Sequence, residues 1–214
     1  MHVVCFDIDG TLVASADLDG DLYEQAVRDV LGVDLNPDWS QYRNVSDSGI
    51  LEEILESIPD PEERVHLGRK VQSAFLESTS QYVARNPGFI REIPGAKTLV
   101  ETLRKLPNVC ISIATGGWAE TAQLKLRAIG LDPANIPMAT SSDAVKRTDI
   151  MKLAESRATK GLVARRTYFG DGHWDKEAAA ELGYDFVAIG GRVDHHVAFP
   201  DLQDIESILG QLRV

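Results

Sequence analysis

The sequence predicts an α/β protein, a parallel sheet covered by helices, with an all-helical unit inserted near the start of the chain. From residue 94 onward, short apolar runs rich in Val, Ile and Ala alternate with stretches of helical periodicity, the pattern of strands joined by crossover helices. A further run of this kind, Val3-Val4-Cys5-Phe6, stands at the very start. Between it and residue 89 there is only helical spacing. The expected division is therefore a core built from 1–15 and 89–214, and a helical unit, 16–88, whose two ends return to the same place.

Each element has its own signal. The four apolar residues 3–6 read as a strand buried on both faces, ended by Asp7-Ile8-Asp9-Gly10-Thr11. In the insertion, Leu22, Tyr23, Ala26, Val27, Val30 and Leu31 recur at helical spacing, as do Ile50, Leu51, Ile54, Leu55 and Ile58. Asp60-Pro61-Glu62-Glu63 supplies an N-cap, a first-turn proline and a capping-box Glu. A long helix follows, through Val65, Val71, Phe75 and Tyr82 to a stop at Asn86-Pro87-Gly88. Ala96, Leu99, Val100, Leu103 and Leu106 mark a helix closed by Pro107, and Val109–Ala114 is a buried strand ending at Thr115-Gly116-Gly117. A helix over 118–129 stops at Gly130. Then come a short strand near 136–139, a helix near 149–157, a strand at 167–169, a helix at 178–182 and a strand at 186–189. Leu202, Ile205, Ile208 and Leu209 form the last, amphipathic helix.

Composition narrows the function classes. The net charge of −11 is concentrated in the insertion, where 15 Asp and Glu face six Lys and Arg between residues 16 and 88. Such a surface repels a polyphosphate backbone, so nucleic acid is not the expected partner. Cys5 and Cys110 each lie in an apolar run and read as reduced core thiols. No apolar run reaches the roughly 18 residues of a membrane span, and Asp7 and Asp9 fall where a signal peptide needs its apolar centre. A soluble, cytoplasmic protein is expected.

All strands of a parallel sheet end on one edge, where ligands bind beside the reversal of strand order. That edge collects Asp7-x-Asp9, Thr115-Gly116-Gly117, Lys146-Arg147 and Gly170-Asp171-Gly172-His173-Trp174-Asp175. The plain alternative for Asp-x-Asp-Gly-Thr is a polar turn after a strand. Two carboxylates this close need a cation between them or a proton on one. For a phosphate ester every group has a task. Asp7 could attack phosphorus, and Asp9 could protonate the leaving alcohol and then take a proton from water. The Thr115 hydroxyl and Gly116 amide could bind a phosphoryl oxygen, and Lys146 or Arg147 could neutralise the charge. Mg2+ would suit Asp7, the Asp9 carbonyl and Asp171, with Asp175 a ligand or an anchor for bound water.

These four stretches, in this order and covering essentially the whole chain, resemble the motifs of the haloacid dehalogenase-like hydrolase superfamily. The resemblance implies a Rossmann-like core, Mg2+, an aspartyl-phosphate intermediate and a mobile cap inserted after the first motif; residues 16–88 resemble its helical version. One departure is Val145-Lys146-Arg147-Thr148-Asp149, where many members carry Lys-Pro; either cation could serve, with Arg147 favoured. Asp9 points to phosphoryl transfer rather than dehalogenation, and residues 16–69 contain no lysine for a phosphonate-cleaving Schiff base. The expected activity is hydrolysis of a small-molecule phosphomonoester. A phosphosugar mutase is the alternative, and a phosphoaspartate receiver module fits less well because of the insertion. In the polar break Arg43-Asn44-Val45-Ser46-Asp47, Arg43, Asn44 and Ser46 are expected to meet the leaving group, the other possibility being a solvent loop. His173 and Trp174 fall where they could line the crevice, the other reading for His173 being a helix-cap residue, and His195-His196 reads as a surface loop.

Overall fold

The computed structural model describes residues 1–86 and 88–214, with Ala16 and Asp17 described by backbone only. Pro87, part of the expected helix stop, lies outside the described residues.

Strand β1 (His2–Phe6) is buried at every position. The chain then turns into β2 (Val13–Ala14), which pairs antiparallel with β3 (Arg91–Glu92). This two-stranded ribbon carries the chain out to the inserted helices and back. Next come β4 (Val109–Ala114), β5 (Met138–Ala139), β6 (Arg165–Gly170), β7 (Asp185–Ile189) and β8 (Ala198–Phe199). With β1 they form a six-stranded, all-parallel sheet in the order β5-β4-β1-β6-β7-β8. The chain builds outward from β1 in one direction through β4 and β5, then returns to its other side for β6. The switch point is thus at β1, and its C-terminal end faces the crevice.

Alternation along β1 sends its side chains into two separate cores. Val4 and Phe6 pack with Leu99, Val100 and Leu103 of α4 (Ala96–Leu103), Ala122 and Leu126 of α5 (Ala119–Ala128), and Ile208 and Leu212 of the helix Ile205–Leu212. Cys5 packs on the opposite face with Ile150, Met151 and Ala154 of α6 (Arg147–Ala158) and with Ala178 and Ala179 of α7 (His173–Leu182). A third core lies among the inserted helices α1 (Ala16–Leu31), α2 (Asp47–Leu55) and α3 (Pro61–Arg85). As expected, Asp60 caps α3, its carboxylate accepting from the Glu62 amide at 2.9 Å. No helix among the described residues is long and apolar enough to cross a membrane.

Boundaries moved where local hydrogen bonding outweighed periodicity. The 136–139 strand shortens to Met138–Ala139 because a 3-10 turn over Pro133–Asn135 draws the Ile136 amide to the Pro133 carbonyl. The last helix starts at Ile205, where Asp204 accepts from the Ser207 amide, while the Leu202 amide turns to the Pro94 carbonyl. The helix expected at 178–182 begins at His173. Strand β8 is two residues long, too short to show a period.

Phe6 is fully buried and stacks on Phe169 with ring centroids 4.8 Å apart. Phe6→Ala should lower stability by about 3–5 kcal/mol, read as a lower urea midpoint at unchanged m-value.

Candidate active site

The first residue beyond β1 is Asp7, whose amide continues the sheet by donating to the Phe169 carbonyl at 2.9 Å and whose side chain is buried. Asp171 follows β6, and Asp175 lies in the first turn of α7, where its Oδ2 accepts from the Gly172 amide at 3.1 Å. Carboxylate oxygens of Asp7, Asp171 and Asp175 all lie within 4.8 Å of one another. Gly10, at φ 75°, has to be glycine twice over: the turn is left-handed, and a Cβ there would run into the Asp171 carboxylate.

Burial pushes all three carboxyls up. For Asp7, burial is reinforced by Asp175 and opposed by Arg147; for Asp171, pushed up to about 7, burial is reinforced by Asp175 and opposed by Arg192. Asp175 is raised by burial against the pull of Arg147. Arg147, the first residue of α6, puts Nη1 3.3 Å from Asp7 Oδ1 and 3.5 Å from Asp175 Oδ1. Its own burial works against its charge, but Asp175 and Asp7 outweigh that and raise its pKa. Two guanidiniums, Arg147 and the half-exposed Arg192, do not neutralise three carboxylates. Buried oxygen donors with excess negative charge are the ligand set of a hard divalent cation, so these residues could hold one.

The inserted helices are seated on this edge by specific hydrogen bonds. The Asp47 amide donates to the Gly116 carbonyl at 2.8 Å, and the Trp118 amide donates to Asp47 Oδ2 at 2.9 Å. Ser46 caps α2 by accepting from the Gly49 amide and donates its own hydroxyl to the Val145 carbonyl at 2.7 Å. Arg147 Nη2 donates to the Val45 carbonyl at 3.1 Å. A side chain at Gly116 would meet that guanidinium, with its Cβ 2.6 Å from Arg147 Nη2. Trp118 leaves the core altogether: it packs among the inserted helices, 5.5 Å from the Tyr23 ring and 5.7 Å from Phe75.

Between the two parts lies a cleft of about 710 Å³, including its open mouth. Asp7, Asp9, Thr115, Gly116, Arg147 and Asp171 line it from the core, with Trp174 and Arg192, and Asp19, Tyr23, Trp39, Ser46 and Asp47 line it from the inserted part. Asp175 sits beneath, fully buried.

Not every sequence candidate reaches the cleft. Lys146 caps α6 but extends to Glu181 at 2.8 Å, so the charge beside Asp7 is Arg147. Arg43 is drawn away by Glu53 and Glu56, and it lines a neighbouring depression together with Asn44 and Lys146. Of the three loop residues expected to meet a leaving group, only Ser46 faces the cleft. His173 is exposed at the start of α7, and the His195 ring lies tilted against that of His196 with centroids 4.2 Å apart.

Residues that the sequence motifs do not single out include Asp19, Trp39, Asp47, Lys125 and Arg192. Lys125 had a readable signal, because it falls on the buried stripe Thr121, Ala122, Lys125 and Leu126 of α5. Its Nζ is 2.8 Å from Asp9 Oδ2 and 2.5 Å from Asp19 Oδ1. Arg192, 3.3 Å from Asp171, comes from a loop with no pattern of its own.

Comparison with known proteins gives a consistent picture. The model of the haloacid dehalogenase-like hydrolase family matches residues 1–183. No curated protein matches. The chain superimposes on a hydrolase from Pseudomonas syringae with TM-score 0.75 at 23% identity, covering 99% of each chain. CbbY from Rhodobacter sphaeroides, solved in complex with phosphate, gives TM-score 0.71 at 19% identity and 95% of each chain. A β-phosphoglucomutase from Clostridium difficile gives 0.73 at 14% identity, covering 99% of this chain and 96% of that one. At these identities the likeness is one of fold.

The raised Asp171 pKa makes a signed prediction. A carboxyl lifted from 3.8 to about 7 in the folded state contributes stability that is full below about pH 4 and lost as pH rises through about 7. Asp171→Asn should therefore gain melting temperature over the metal-free wild type as pH is raised across that window. Millimolar Mg2+ should raise the melting temperature of the wild type at pH 7 more than that of the variant.

Proposed function

The chain belongs to the haloacid dehalogenase-like hydrolase family, and from that premise we propose that it is a Mg2+-dependent phosphatase acting on a small phosphomonoester through an aspartyl-phosphate on Asp7. The observation that carries this reading is the buried Asp7 carboxylate at the switch point, beside Arg147 and within reach of Asp171 and Asp175, with Asp9 lining the same cleft.

In this reading an Asp7 oxygen attacks phosphorus while the bond to the leaving oxygen breaks, and Asp9 gives that oxygen a proton. Asp9 then takes a proton from the water that attacks the phosphorus of the aspartyl-phosphate, releasing phosphate and restoring Asp7. Thr115 and the Gly116 amide hold phosphoryl oxygens, and Arg147 keeps Asp7 oriented and offsets the charge. Asp7, the Asp9 carbonyl, Asp171 and Asp175 would hold Mg2+, which when bound supplies charge neutralisation between the nucleophile and the phosphoryl group. Residues 16–88 act as the cap that excludes water and selects the leaving group. Unpaired thiols at Cys5 and Cys110 support a reducing, cytoplasmic setting.

The lack of a basic side chain among the described cleft residues of the cap wall supports a substrate with one phosphate. Those residues include Asp19 and Asp47; the cleft's Arg147 and Arg192 come from the core and lie against carboxylates. Asp47 is raised above its ordinary value by burial and by Asp19, and its Oδ2 already accepts from the Trp118 amide at 2.9 Å. A mutase would have to pass through a bisphosphate, whose second phosphate would face this wall; hydrolysis of a neutral or amine-bearing monophosphate ester is favoured instead.

Asp7→Asn should lower kcat by about three orders of magnitude or more while preserving the fold, and an active variant would overturn the proposal. Across a panel at fixed ionic strength, kcat/KM for neutral sugar monophosphates and phosphoethanolamine should exceed that for phosphoglycolate and sugar bisphosphates by about tenfold. The reverse order would remove the assignment of the cap wall.

A further inference from the structure

Lys125 lies on α5 outside the four motif stretches, yet it is 1% exposed and sits between two carboxylates that belong to different parts of the molecule. Asp9 is carried by the loop after β1. Asp19 is carried by α1, the first inserted helix. The ammonium donates to Asp9 Oδ2 at 2.8 Å and pairs with Asp19 Oδ1 at 2.5 Å, while the Ser15 hydroxyl donates to Asp9 Oδ1 at 2.5 Å. Both oxygens of Asp9 are therefore held, one from each side.

We propose that Lys125 is a positioning residue that couples the seating of α1 to the orientation of Asp9. This rests on the reading of Asp9 as the acid-base carboxylate. A lysine is rarely buried without partners, because its ammonium must be desolvated. With α1 seated, Asp19 supplies the second anion that makes the buried position tolerable, and the ammonium is fixed over Asp9. With α1 lifted, the ammonium loses that anion and becomes hydrated, and Asp9 loses a rigid partner. The consequence falls on one step. When the proton of Asp9 moves to the leaving oxygen, whose bonding electrons stay on oxygen as the P–O bond breaks, the carboxylate left behind is received by Lys125 and Ser15. Esters with a basic leaving alcohol need that proton transfer; those with an acidic phenol need it little.

The test compares wild type, Lys125→Met, Lys125→Arg and Asp19→Asn on p-nitrophenyl phosphate and on an alkyl phosphate, with thermal melts as the folding control. Lys125→Met should lower kcat for the alkyl ester at least tenfold more than for p-nitrophenyl phosphate, and Lys125→Arg should recover part of that difference. Asp19→Asn should shift the ratio the same way by about threefold, and it decides the matter if Lys125→Met does not fold. Equal losses on both substrates, or an unchanged ratio in Asp19→Asn, would reduce the triad to a structural ion pair and overturn the inference. A wild-type protein inactive on every ester would instead overturn the phosphatase reading beneath it.

Discussion

Carboxylates at positions 7, 171 and 175 are kept out of water within 4.8 Å of one another, and most of the edge of the sheet is arranged to tolerate that repulsion. Their charge is answered from two sides, by Arg147 against Asp7 and Asp175 and by Arg192 against Asp171. Each answer has a structural condition. Arg147 reaches Asp7 because α6 begins at that residue, and Gly10 has no side chain because the Asp171 carboxylate fills the space. Such an arrangement is costly as a bare fold, and burial raises all three carboxyls accordingly.

The same guanidinium joins the site to the inserted helices. Arg147 Nη2 donates to the Val45 carbonyl, so the loop before α2 is read directly by the residue that faces Asp7. Exchange also runs the other way, since Trp118 of the core buries itself between Tyr23 and Phe75. The inserted unit is thus held by a shared apolar anchor on one side and by hydrogen bonds to the ends of β4 and α6 on the other. The cleft between them is lined on its inserted side by the rings of Tyr23 and Trp39 and the carboxyls of Asp19 and Asp47.

Much of this was legible in the residues. Strands of four to six apolar residues separated by amphipathic helices leave a parallel sheet as the consistent solution, and parallel strands put Asp7, Thr115, Arg147 and Asp171 on one edge whatever the details of packing. Less legible were interactions without period or motif. Arg43 in its polar loop reads as a substrate contact, whereas Glu53 and Glu56, ten and thirteen residues later, hold its guanidinium. Lys146 and Arg147 are adjacent, and only the direction in which α6 starts separates the one bonded to Glu181 from the one beside Asp7.

By itself, then, the order of residues determined the layering, the strand edge where the acidic motifs meet and the existence of a helical insertion, because those follow from local periodicity and the handedness of crossovers. Tertiary structure alone decided which cation accompanies Asp7, which loop residue turns inward, and that Lys125 lies between Asp9 and Asp19. Those choices depend on contacts between segments far apart in the chain, where the partner's position, and not the residue's own neighbours, sets the energy.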